Sequence, residues 1–162
     1  MRNSFIEHFK SVRAVEIGVR FGDNAREMLD AVPHFRLYLV DSYDVNNSTN
    51  QSGGKAMSDE DRAKLISDVK ERFAAYGDRA KLMVMDSAQA SRKFPDKYFD
   101  YVYIDAQHEE ANVLNDIRLW WPKLKDGGTF GGHDLSAEGV KKAVIGFFDD
   151  YHSAGEDWWV FK

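Results

Sequence analysis

The 162-residue chain predicts a doubly wound α/β domain: a mainly parallel six-stranded sheet with helices on both faces. Three observations carry that expectation. Short apolar runs alternate with helix-period segments from end to end, as parallel strands joined by crossovers require. Five of those runs end, at what would be one edge of the sheet, in glycine or polar groups: Gly18, Asp41, Asp86-Ser87, Asp105 and His133-Asp134. The first run, Val15-Glu16-Ile17, opens into the turn Gly18-Val19-Arg20-Phe21-Gly22 and then a helix, the corner in which such folds hold a nucleoside.

The elements follow in order. Residues 3–12 read as a short helix with Phe5, Ile6 and Phe9 on one face. The first strand covers 14–18, and its helix covers 24–31 and stops before Pro33. Residues 36–41 form a buried strand that ends in an acid. Residues 43–60 are polar and rich in Gly, Asn and Ser, and read as a long functional loop. Ser58, with Asp61 three residues on, opens a helix that carries Leu65, Val69 and Phe73 on one face and closes at Gly77. Then come a strand at 81–85, a short helix at 88–93 and a strand at 99–105. A helix at 109–121 presents Val113, Ile117 and Trp120, and Asp126-Gly127-Gly128 turns into a strand at 129–132. A helix at 137–151 and a single strand at 158–161 finish the chain. No internal repeat or linker interrupts it, so residues 1–162 form one domain.

Composition narrows the partners. A net charge of -5 with scattered Lys and Arg lacks the basic face that a nucleic acid demands, which leaves a small molecule. No apolar run approaches the ~18 residues of a membrane span. The first residues lack a secretory core, so the cytoplasm is the default location. With no cysteine, disulfides, thiolate metal sites and thiol nucleophiles are excluded.

The spacing Glu16-x-Gly18-x-x-x-Gly22 departs from the G-x-G-x-x-G that cradles a pyrophosphate. Glycines at 18 and 22 let main-chain atoms approach a ligand, and Glu16 and Asp23 suit one that is phosphate-free and positively charged. Asp41, 23 residues beyond Gly18, stands where a carboxylate accepts from ribose hydroxyls. Asp86 and Ser87 stand where an adenine edge would lie, and Asp105 stands near the reacting end. Any one of these acids is explained as a helix cap or turn former. Four at one edge are harder to explain separately.

Val15-Glu16-Ile17-Gly18, Gly22, Val40-Asp41, Asp86-Ser87-Ala88, Tyr103-Ile104-Asp105-Ala106-Gln107-His108 and Leu124-Lys125-Asp126-Gly127-Gly128 with Gly132-His133-Asp134 resemble the ordered motifs of class I S-adenosylmethionine (AdoMet) methyltransferases. The subgroup it looks most like is the small-molecule and sugar O-methyltransferases, related to the macrolide-sugar enzymes and more distantly to catechol O-methyltransferase. The resemblance spans about residues 14–150. It implies a Rossmann-like methyltransferase fold and methyl transfer from AdoMet to a small hydroxylated molecule or sugar. It implies cofactor contacts from Glu16, Gly18, Gly22, Asp41, Asp86, Ser87 and Asp105. It also implies a D-x-x-H pair, Asp105 and His108, as catalytic groups, with Asp105 and Asp134 as ligands of Mg²⁺. His108 would take the acceptor's proton, and a carboxylate-bound Mg²⁺ would acidify and orient the hydroxyl.

The chain departs from the pattern in places. Leu135 stands where the catechol enzyme has Asn, and His133 where the sugar enzymes offer a carboxylate. Both ends look shortened, so the 43–60 loop or a second subunit of a homo-oligomer would serve as lid. Two alternatives stay open: an NAD-binding oxidoreductase, disfavoured by the glycine spacing, and a module of this fold that binds without turnover.

Overall fold

The computed structural model describes residues 12–44 and 57–162. The expected helix before Val12 and most of the 43–60 loop lie outside them. Seven strands are present among the described residues: β1 (Val12–Ile17), β2 (Phe35–Asp41), β3 (Ala80–Val84), β4 (Phe99–Ile104), β5 (Leu124–Gly132), β6 (His152–Ala154) and β7 (Asp157–Phe161). They lie in the order β3-β2-β1-β4-β5-β7-β6. Pairing is parallel from β3 to β5 and antiparallel where β7 meets β5 and β6.

Five helices connect them: α1 (Asp23–Ala31), α2 (Asp59–Ala74), α3 (Ser87–Ser91), α4 (Glu110–Trp120) and α5 (Glu138–Phe147). The central strands are buried on both faces, which explains their near-continuous apolar sequence. On one face Val15, Ile17, Val40, Val102, Ile104 and Phe130 meet Val113, Ile117, Trp120, Val140 and Val144 from α4 and α5. On the other, Ala14, Leu37 and Leu39 meet Met28 and Leu29 of α1 and Val69 and Phe73 of α2. The capping of α2 is as the sequence predicts: Ser58 Oγ accepts from Asp61 N–H at 3.1 Å and donates to the Asp61 carboxylate at 2.7 Å.

Two expectations are corrected. The sheet has seven strands rather than six, because a hairpin rather than a single strand follows the last helix. Gly155, at φ +63°, begins the two-residue turn between β6 and β7, and α5 ends at Phe147 to make room for β6. His152 and Ser153 are exposed, so no apolar alternation marks this edge strand in the sequence. The Asp126-Gly127-Gly128 turn also lies inside β5, as an irregularity in its pairing with β4. There the main chain of Lys162 bonds Gly127 and Gly128 and closes the bulge.

Strand order reverses between β1 and β4, so the carboxyl ends of those strands flank the crevice where such sheets bind ligands.

Candidate active site

Gly18 and Asp105 meet at that reversal. The Asp105 N–H donates to Ile17 O at 2.8 Å. A Cβ on Gly18, whose φ is +88°, would lie 2.0 Å from the Asp105 carbonyl oxygen, so only glycine permits the two strand ends to cross. Gly22, at φ +79°, caps α1, and a Cβ there would strike the Phe73 ring at 2.5 Å. Both glycines are therefore required by the protein's own packing.

Asp41 ties the β1 turn to β2. Its Oδ2 accepts from the Val19 and Arg20 N–H groups at 2.9 and 2.8 Å, and Oδ1 accepts from Tyr43 N–H at 2.7 Å. A carboxylate has about four lone-pair sites, so Oδ1 keeps capacity for one further donor such as a ribose hydroxyl. The buried Tyr43 strengthens the tie by donating its hydroxyl to Arg20 O at 3.0 Å. Burial, with the Asp41 and Glu16 charges nearby, raises the Tyr43 phenol's pKa and keeps that donor protonated. Arg62 of α2 donates to the carbonyls of Ser42 and Tyr43. Glu16 is 1% exposed, and its carboxylate accepts from Asn24 Nδ2 at 2.7 Å, which fixes the start of α1.

Met85 N–H donates to Asp41 O at 3.0 Å, so the β3 end lies beside the β2 end. Asp86 caps α3, its Oδ1 accepting from the Ala88 N–H at 2.8 Å and the Gln89 N–H at 3.4 Å. Ser87 turns inward. Its hydroxyl donates to Asp116 Oδ1 at 2.5 Å and accepts from Trp120 Nε1 at 2.9 Å. Asp116 was not apparent from the sequence. It is only 8% exposed, and burial pushes its pKa up to about 6, with the Ser87 bond opposing and the Asp86 charge adding. A signal existed: residue 116 is three after Val113 and four before Trp120, on the buried stripe of α4.

On the other side of the reversal, side chains converge on one another. Asp105, His108 and Asp134 each bring one donor atom within 4.8 Å of the others, and all three are half-buried. His108 Nε2 lies 2.7 Å from Asp134 Oδ2, and His133 Nδ1 lies 3.1 Å from Asp134 Oδ1. His133, which stands where the sugar enzymes offer a carboxylate, thus touches the acid at the centre of this group. Asp134 itself has φ +57°. Four non-glycine residues of the described chain are left-handed, and Arg20, Tyr43 and Asp134 stand on this one rim. Strain of about 1–3 kcal/mol per residue persists where surroundings over-determine it, as at ligand sites.

The predicted residues therefore gather along one edge, in two groups that meet at Gly18 and Asp105. The donor set fits the groups it was expected to hold: one carboxylate beside a glycine turn for a ribose, and the two carboxylates of Asp105 and Asp134 for a divalent ion. Among the described residues, no helix is long and apolar enough to cross a membrane.

The chain resembles solved structures of the same shape. The calicheamicin methyltransferase CalS11 is 14% identical with a TM-score of 0.67, over 94% of this chain and 72% of that one. The O-methyltransferase NovP is 16% identical with a TM-score of 0.64, over 93% and 72%. The mycinamycin-pathway methyltransferase MycE, solved with Mg and S-adenosylhomocysteine, is 18% identical with a TM-score of 0.62, over 94% and 45%. No curated protein sequence matches the chain. The family model for the methyltransferase domain matches residues 15–135, well over half of the chain, and removes the NAD alternative. The chain belongs to that methyltransferase family and is an AdoMet-dependent enzyme.

Proposed function

We propose that this enzyme methylates a hydroxyl oxygen of a small molecule or sugar, with His108 as the base. The observation that carries the reading is the 2.7 Å contact between His108 Nε2 and Asp134, one strand end away from the Gly18 turn. With an Nε2–H donated to Asp134, a neutral imidazole would carry its lone pair on Nδ1, the atom that would take the hydroxyl proton. His133 on the far oxygen of Asp134 restrains the same carboxylate from rotating. Asp41 would accept from the ribose through Oδ1, and Asp86, through the oxygen that does not cap α3, would accept from the adenine amine. Ser87, held by Asp116, would set the α3 entrance beside the base rather than contact it through its hydroxyl.

When bound, AdoMet supplies an electrophilic methyl group on a sulfonium, and the acceptor oxygen must stand about 3 Å from it, opposite sulfur. Asp105 and Asp134 would hold a Mg²⁺, which when bound would lower the pKa of the acceptor hydroxyl. A carboxylate oxygen has two lone pairs, so Asp134 can hold His108 and still face an ion. The enzymes NovP, CalS11 and MycE, named as methyltransferases, support a small-molecule acceptor through the fold they share with this chain.

The test is transfer of labelled methyl from AdoMet to a panel of hydroxylated acceptors, with and without Mg²⁺. His108→Ala is expected to lower kcat about 100-fold or more while AdoMet affinity holds within about twofold. Unchanged turnover in that variant would remove the base assignment. AdoMet binding with no transfer to any acceptor class would favour a module that binds without turnover.

A further inference from the structure

Trp158 lies in the last strand, outside the span matched by the family model. It pairs across the ladder with Gly132, the residue immediately before His133-Asp134. A Cβ on Gly132 would stand 2.9–3.0 Å from Cζ2 and Cε2 of the indole, so the ring packs closely against the end of β5. The side chain is buried, 1% exposed, yet its Nε1–H has no partner among the described residues. An unpaired buried donor costs roughly 1–3 kcal/mol, a cost that a purely apolar side chain at this position would not carry. Trp158 also lines a small cavity of about 10 Å³ together with Asp105, His108, His133, Asp134 and Val140.

That volume admits one water molecule. The chemistry of the wall at Trp158 selects it. An N–H donor cannot ligate a cation, so an ion held by Asp105 and Asp134 would leave the indole side to another molecule, and the two carboxylates repel an anion. A neutral molecule that accepts from the indole and donates to a carboxylate satisfies both. We propose that Trp158 is a positioning residue of the active site, donating through Nε1 to one enclosed water that in turn donates to the Asp134 or Asp105 carboxylate. The bridge restrains the carboxylate that orients His108 and carries the geometry of the β6–β7 hairpin into the site. It rests on the reading of His108 and Asp134 given above. Restraints of this kind on a reacting group's partner are typically worth about 10-fold.

The experiment is a crystal structure of the intact protein at a resolution that shows ordered water, paired with kinetics of Trp158→Phe. The expected result is a water within hydrogen-bonding distance of Trp158 Nε1 and of one carboxylate. Trp158→Phe should then lose about 10-fold in kcat with KM for AdoMet unchanged within about twofold, a split that loss of structure would not produce. A parent structure with no such water overturns the proposal, whatever the variant does. So does a Trp158→Phe enzyme with unaltered kcat. Failure of the parent to transfer methyl would sink the site reading instead, and the crystallographic water would still decide the bridge.

Discussion

The two halves of the strand-end rim use the same residue types differently. On the β1–β2–β3 side, carboxylates face main-chain N–H groups: Asp41 takes three, and Asp86 takes two at the start of α3. On the β4–β5 side, Asp134 faces two imidazoles, with Asp105 nearby. The first half is a frame whose polar groups hold the loops that would surround a nucleoside. On the reading proposed above, the second half is the set of side chains that would pass a proton between the acceptor and the protein. Binding needs a preformed shape, whereas chemistry needs groups whose bonds can change, and under the proposed function the rim would divide along that line.

The division is tested first by the largest expected effect. Asp41→Ala leaves three main-chain donors without their charged acceptor; the two part-buried bonds are worth about 1.5–3 kcal/mol each and the exposed one to Arg20 little, so stability should fall by about 3–6 kcal/mol. Calorimetric titration should show AdoMet affinity collapsing with it. A variant that melts and binds like the parent would mean that the frame is held elsewhere.

Asp116 gives the next effect, on the frame's inner side. Its folded pKa, about 6, lies above the ordinary 3.8, so folding favours the protonated form. The stabilisation from this group is therefore complete below about pH 4, declines as pH rises toward about 6 and is absent above it. Two pKa units correspond to about 3 kcal/mol. Urea unfolding from pH 4 to 8 should show the parent losing stability relative to Asp116→Asn by roughly that amount. A constant difference across the range would contradict the burial argument.

His108→Ala, the variant expected to damage turnover, should have the smallest effect on folding. Its side chain is about a quarter exposed and caps no element, so the melting temperature should move by no more than a degree or two. A large drop would place His108 in the frame rather than in the chemistry.

Much of this was legible in the sequence, for a physical reason. Buried parallel strands are continuous apolar runs, and the polar residue that ends each run marks the binding edge, so Asp41, Asp86, Asp105 and Asp134 could be placed on one rim before any coordinates. The reasons for Gly18 and Gly22 were not legible. Their missing Cβ atoms make room for Asp105 and Phe73, partners distant in sequence. Nor was it legible that Ser87 gives its hydroxyl to Asp116, 29 residues away. The β6 strand has exposed polar residues at His152 and Ser153 and leaves no periodic trace. His133 gained its meaning only from the second imidazole across Asp134.

The central claim is that the cofactor sits in the crevice between β1 and β4, with its nucleoside on the frame and its sulfur toward the reacting side chains. A crystal structure with S-adenosylhomocysteine tests it directly. The account predicts a ribose hydroxyl on Asp41 Oδ1, adenine beside Asp86, and sulfur on the side of the rim that holds Asp105 and His108. Density for the ligand anywhere else, or saturating ligand with an unchanged crevice, would contradict it.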